Sequence, residues 1–362
     1  MGDKSPEQAS RGKKSPTSPK GAKSPKSPKS SEAGAQDPTS ETVGILPAQH
    51  WVQSAQDHGY DDDAESAVGS LNPSSTASIS SSILNYRTLH GRTYHGEVGS
   101  AEYWGANDEQ QSESLDIKKL LTLGLELSTH VRMFPNPSFS DFADEFPEAE
   151  VIGTDISPIQ PTWVPPNLKF EIEDCTQPWT FAPDTFDYIH MRWLIGSIPD
   201  WSALFTEAFK ACRPGGWFES CEPECGFTSD DGTVRDDTAL GQWQKFYEEG
   251  QRKTGRVFTV VRDGIQRKCM EEAGFVDIQE FSFKIPIGSW PKDPKLKELG
   301  QYGQLVLEAD TEGYILFMAN TLGWTREEIQ VYIAHLRREV RSGKIHAYYR
   351  QNIIWGRKPE SE

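Results

Sequence analysis

The sequence predicts an α/β fold in which a doubly wound, mostly parallel sheet follows a low-complexity head. Three observations carry this reading. From about residue 139 onward, short apolar strands alternate with amphipathic helices, the pattern of a sheet covered on both faces. Two of those strands end on a carboxylate, Asp155 and Asp174. A helix is broken by Arg213-Pro214-Gly215-Gly216, and another apolar strand starts at once.

The elements follow in order. From Lys4 to Ser30 the triplet Lys-Ser-Pro recurs at Ser5, Ser15, Ser24 and Ser27, and a segment so poor in apolar residues cannot bury a core. With the acidic Asp61-Asp62-Asp63 and the run Ser74 to Ser82, it makes residues 1–82 a disordered tail, so order is expected from Ile83. Residues 83–127 read as a helical cap, with helical spacing from Asn107 to about Leu127. The remaining domain, 128–358, opens with Ser128 to Phe134 as a shortened first strand. A helix from Phe139 ends at Pro147, and strands follow at Glu150–Asp155, Leu168–Asp174 and Phe186–Leu194. The helix Trp201–Cys212 leads to a strand at Trp217–Cys221, then to helices near Thr238–Arg252 and Arg262–Ala273, the latter capped by Gly274. A strand at Phe275–Ile285, a helix from Thr325 to Ser342 and a final antiparallel strand at Lys344–Trp355 complete the domain.

Charge narrows the functional classes. The chain of 362 residues carries a net charge of −17, which disfavours non-specific attachment of the folded body to nucleic acid or anionic membrane. Its first 29 residues hold about +6, so nucleic-acid contact is expected only through this basic arm. Phosphorylation of its Ser-Pro sites would cancel that charge. No stretch has the length and apolarity of a membrane span or a secretory signal, and the Lys-rich arm suits a nuclear as well as a cytoplasmic location. The odd count of five cysteines fits a reducing compartment. Cys221 and Cys225 lack the tight paired spacing of a zinc site, and no metal is expected.

A carboxylate at the end of a strand offers two oxygens to the two hydroxyls of a ribose. Asp155 is placed for this, although Asp155-Ile156-Ser157-Pro158 also reads as an Asx turn. Asp174 ends the next strand in the same way, able to accept from an adenine amino group, with Cys175 beside it. His190 to Arg192 close the third strand on the rim where such sheets bind ligands. The candidate bases at that rim are His190, His95 and Glu222; Trp193, Trp290 and Tyr302 are candidate walls for an acceptor.

Three segments carry a family resemblance: Asp144 to Pro158 (DEFPEAEVIGTDISP), Phe186 to Arg192 (FDYIHMR) and Pro214 to Ser220 (PGGWFES). Together they resemble the class I S-adenosylmethionine-dependent methyltransferases, and more narrowly the fungal LaeA-like branch, which includes regulators of secondary metabolism. The resemblance spans residues 84–358. It implies a seven-stranded Rossmann-like sheet, bound S-adenosylmethionine and methyl transfer to a small-molecule or protein acceptor. The implied cofactor contacts are Asp155 at the ribose, Asp174 and Cys175 at the adenine and His190 and Met191 beside the methionine part, with Ile156 and Tyr94 also among them.

The chain departs from the family pattern in one place. Where relatives carry a glycine-rich turn after the first strand, it reads Met133-Phe134-Pro135-Asn136-Pro137-Ser138. Proline has no amide to donate and cannot take the positive φ that glycine supplies. That substitution supports an alternative, a catalytically silent regulatory interaction module with a protein partner; a truncated gene model would leave the same gap.

Overall fold

The computed structural model describes residues 44–58, 86–96, 103–115, 139–160 and 163–360. The basic arm, the expected first strand at 128–134 and the Pro135–Pro137 turn lie outside the described residues.

Helix α1 (Ala48–His58) precedes a hairpin of β1 (Arg87–Leu89) and β2 (Arg92–Tyr94). A helical stretch over 109–115, α2, starts after Asp108, whose carboxylate accepts from the Gln111 amide at 3.1 Å. Then come α3 (Phe139–Glu145), β3 (Val151–Asp155), β4 (Leu168–Ile172), β5 (Phe186–Arg192), α4 (Trp201–Ala211) and β6 (Cys212–Pro223). The chain continues through α5 (Ala239–Thr254), α6 (Ile265–Ala273), β7 (Val276–Pro286), α7 (Pro294–Ala309), α8 (Thr311–Thr321), α9 (Arg326–Arg341) and β8 (Tyr348–Arg357).

Among the described residues the domain's six strands form a parallel pair, β3 with β4, and a four-stranded sheet in the order β5-β6-β8-β7. Strand β5 runs parallel to β6, while β8 lies antiparallel between β6 and β7. This is the expected doubly wound architecture with its reversed last strand. Phe142 of α3 stacks on Tyr188 of β5 with centroids 6.0 Å apart. The opposite face of β5 and β6, with Ile189, Met191 and Phe218, is sealed by α4 and α6 through Leu204, Phe205, Ala208 and Met270. A second, larger core joins α1, α5, α8 and α9 around Trp51, Phe246, Leu316 and Tyr332.

Three expectations change. The first concerns α1, which lies inside the stretch assigned to a tail. Ala48, Trp51 and Ala55 fall on one helical face and are all buried. Trp51 meets Tyr332 edge-on at 5.3 Å, and its carbonyl lies 3.1 Å from His335 Nε2. A short amphipathic stripe is enough to dock a helix even when the surrounding composition is polar.

The second concerns the Pro-Gly-Gly segment, which does not precede the strand but forms its start, since β6 begins at Cys212. Gly215 has φ +76°, and a Cβ on Gly216 would lie 2.8 Å from Cys212 Sγ and 2.9 Å from the Arg213 carbonyl. The pairing register with β5 shifts at this point, so the two glycines serve an irregular strand entry.

The third concerns α7 and α8, which the periodicity did not reveal. Helix α8 (TEGYILFMANT) is apolar on nearly every face because it is buried, and so it has no amphipathic period to read. Its start is set by Asp310, whose carboxylate accepts from the Gly313 amide at 2.9 Å.

Candidate functional site

The carboxyl ends of β3 and β4 bring Asp155 and Asp174 to one rim, because the two strands pair in parallel and in register. Asp155 Oδ1 accepts from the Ser157 amide at 2.9 Å, which is the Asx turn the sequence allowed. Burial pushes the Asp155 carboxyl up, against the pull of the Ser157 and Ile156 amides. Asp174 Oδ1 accepts from the amide and hydroxyl of Thr176 at 2.9 and 2.7 Å. Its Oδ2 is buried and has no hydrogen-bond partner among the described residues.

An orphaned carboxylate oxygen is costly unless a ligand completes it. The donor set fits S-adenosylmethionine: Asp155 would take the ribose hydroxyls and Asp174 Oδ2 the adenine amino group. The Cys175 thiol, pushed up to about 12 by burial and by the charges of Asp174 and Asp155, stays protonated beside them.

Two tyrosines absent from the expected contacts sit close enough to feel the Asp155 charge. Tyr86 and Tyr103 are both held protonated, first by burial and then by other charges, among them that of Asp155. Tyr94, the expected contact, is 2 % exposed and packs on Phe317 of α8 with centroids 6.1 Å apart, among the charges of Arg92, Asp108 and Asp310. It belongs to the cap. His95 supports Tyr103 instead: its Nε2 accepts the Tyr103 amide at 2.7 Å.

His190 and Met191 are not brought together. Alternation along β5 places Met191 in the core under α4 and α6 and turns His190 to the other face. There His190 Nδ1 lies 2.9 Å from Glu219 Oε1 and 3.5 Å from the Tyr188 hydroxyl. Its Nε2 has no partner among the described residues.

Glu222, the third candidate base, is fully buried. Both its oxygens accept the Leu194 amide, at 3.0 and 2.9 Å, and Oε2 also accepts the Ile195 amide at 3.1 Å. This carboxylate is committed to holding backbone and is not poised for proton transfer.

The loop it holds is sharply shaped. Trp193 has φ +58°, a conformation that costs a bulky residue on the order of 1–3 kcal/mol. Three residues on, Gly196 has φ +70°, and a Cβ there would meet the Phe258 ring at 2.1 Å. The Gly196 amide donates to the Val257 carbonyl at 2.8 Å, and Trp104 Nε1 donates to the Ile195 carbonyl at 2.7 Å.

Above this loop lies a cavity of about 110 Å³. Aromatic side chains dominate its wall: Tyr103, Trp104, Trp193, Trp243, Tyr247 and Tyr314. Tyr103 lies both in this wall and within reach of the Asp155 charge, which links the cavity to the rim that carries Asp155. Of the three expected acceptor walls only Trp193 takes part. Trp290 donates to the Ala347 carbonyl at 3.1 Å, and Tyr302 packs with Ile285, Leu299 and Val306.

Among the described residues one acidic residue is part of the cavity lining, Glu224, which no sequence pattern singled out. It stands one residue beyond β6. Burial raises its pKa against the charges of Arg350 and Arg262. The two cysteines of the end of β6 are engaged separately: Cys225 Sγ donates to the Phe258 carbonyl and Cys221 Sγ accepts from Gln351 Nε2.

Residues 126–280 match the family model of a methyltransferase domain. The chain is 34 % identical over 306 residues to "Methyltransferase pytC" of Aspergillus terreus, covering 79 % of this chain and 92 % of that protein. It is 30 % identical over 308 residues to "Protein-methionine methyltransferase laeA" of Emericella nidulans, covering 80 % and 81 %. With "Secondary metabolism regulator LAE1" of Cochliobolus heterostrophus it shares 32 % over 224 residues, covering 61 % and 72 %. By its sheet order, its paired rim carboxylates and these relatives, the chain belongs to the fungal LaeA-like class I methyltransferases.

Proposed function

We propose that this protein methylates an apolar, neutral nucleophile, a thioether in a protein or small molecule, and acts thereby in the regulation of secondary metabolism. The observation that carries the proposal is the aromatic cavity beside the rim that carries Asp155.

S-adenosylmethionine, when bound, supplies a methyl on a sulfonium for in-line displacement. The chain's own residues supply the rest. Asp155 and Asp174 orient the nucleoside. The aromatic wall excludes water and seats a thioether, which such rings favour. A thioether acceptor would take up the positive charge that the sulfonium gives up with its methyl and would release no proton. Aromatic faces favour a cation at that point. No general base is required, in keeping with a cavity that none of His190, His95 and Glu222 lines. The name of the Emericella nidulans relative, a protein-methionine methyltransferase, supports a thioether acceptor.

The test is transfer of labelled methyl from S-adenosylmethionine to N-acetylmethionine amide, with the norleucine analogue as control. Label on the methionine compound alone is the expected result. A folded protein without affinity for the cofactor would point to the silent interaction module, the reading that Pro135 and Pro137 support.

A further inference from the structure

We propose that Trp193 gauges the size of the acceptor, and that Glu222 is the positioning residue that holds it in place; the proposal rests on the cavity being the acceptor site. Trp193 is the first residue after β5, its amide still bonded to the Cys221 carbonyl at 3.2 Å. At its left-handed φ of +58° the chain leaves the sheet direction. Left alone, an L-residue with a bulky side chain would avoid this conformation. Here the two following amides are fixed by the buried Glu222 carboxylate, so the turn is enforced from its far side.

The result is an indole standing in the cavity wall, edge-on to Tyr349 with centroids 6.4 Å apart. At about 110 Å³, against roughly 150 Å³ for an apolar cavity known to hold one benzene ring, the cavity has no room for a fused second ring. The indole is thus the large side chain whose removal opens the most room without a backbone penalty, because glycine is at ease at positive φ. Strain kept at a residue that faces a ligand cavity is the kind of strain that accompanies function.

The experiment measures binding of phenol and of 2-naphthol to the full chain by titration calorimetry, for the native protein and for Trp193→Gly, Trp193→Asn and Glu222→Gln. Asparagine also tolerates positive φ, and so guards against a glycine variant that folds poorly. In both Trp193 variants the ratio of naphthol to phenol affinity rises at least about tenfold, the loss of a steric exclusion. Glu222→Gln moves the ratio in the same direction in the native background and no further in the Trp193→Gly background, since coupled residues are non-additive.

A ratio unchanged within twofold in both Trp193 variants overturns the gauge while leaving the acceptor cavity standing. Binding of neither probe to any variant overturns the cavity reading and this proposal together. An equal effect of Glu222→Gln in both backgrounds removes Glu222 from the device.

Discussion

The Arg92 guanidinium meets the Asp310 carboxylate with both terminal nitrogens, at 2.7 and 2.8 Å, joining positions 218 residues apart in the chain. Arg92 also binds Asp108 at the start of α2, and Asp310 caps α8. One cation thus ties the β-hairpin, α2 and the α7–α8 junction into a cap. Asp310 is fully buried, and leaving such a charge unpaired costs about 3–5 kcal/mol. Arg92→Ala is expected to lower unfolding stability by that amount in urea titration, more than the double change Arg92→Met/Asp310→Leu, which removes both charges. Equal losses in the two variants would argue against the pair as the clamp.

Asp155 sets a pH dependence of opposite sign for stability and for binding. Its pKa is raised in the fold, so ionising it favours the unfolded chain. The free protein therefore loses stability as pH rises from the ordinary aspartate value through the raised native one. With Asp155 taking the cofactor's ribose as proposed, affinity is expected to fall as pH drops through the same raised value. Calorimetric titration with S-adenosylmethionine from pH 8 down to pH 4 should show this decline, and Asp155→Asn should bind about 10-fold or more weakly with the decline abolished.

Glu224 is expected to matter for turnover and not for the cofactor. Glu224→Gln removes the charge of an acidic residue in the cavity lining and should lower kcat/KM for a thioether by about 10-fold or more, the size of one favourable charge interaction. Cofactor affinity should stay within twofold. Because burial raises the Glu224 pKa, the native rate should fall toward acid from a higher pH than an exposed glutamate would give.

Gly196 admits no side chain. With φ +70° and the Phe258 ring 2.1 Å from the position a Cβ would take, Gly196→Ala should destabilise the fold by more than about 1 kcal/mol. It should also weaken binding of single-ring ligands in the cavity, because Trp193 and Ile195 ride on the same loop. Differential scanning calorimetry and ligand titration separate the two effects.

The elements that sequence disclosed were those with a local cause. Strand β3 could be read because its apolar run ends on Asp155, and α9 because Thr325 and Glu328 form a reciprocal cap at its start. The end of α6 was legible in Gly274, which takes φ +101°. Features set by long-range packing stayed hidden. Nothing near Glu222 reveals that its oxygens will bind the amides of residues 194 and 195, and nothing near Tyr103 reveals Asp155. Likewise Tyr94 and Tyr103 are both tyrosines beside the hairpin. Which of them feels the Asp155 charge is decided by Arg92 drawing β2 toward α8 and by His95 holding the Tyr103 amide. The cavity itself is assembled from residues between 103 and 349, a span no motif covers.

Strand β8 is made last among the described strands yet takes a place between β6 and β7, and among those strands it is the one neighbour β7 has. During synthesis, β7 therefore waits without a strand partner among those described while helices α7, α8 and α9 are translated. The sheet closes only after residue 357 has left the ribosome. Pairing over such sequence separation is slow, and the waiting edge of β7 is open to other chains. A ribosome stalled inside α9 would hold a nascent chain whose first strand pairs are made and whose β7 is still exposed, so chaperone demand during expression should peak there.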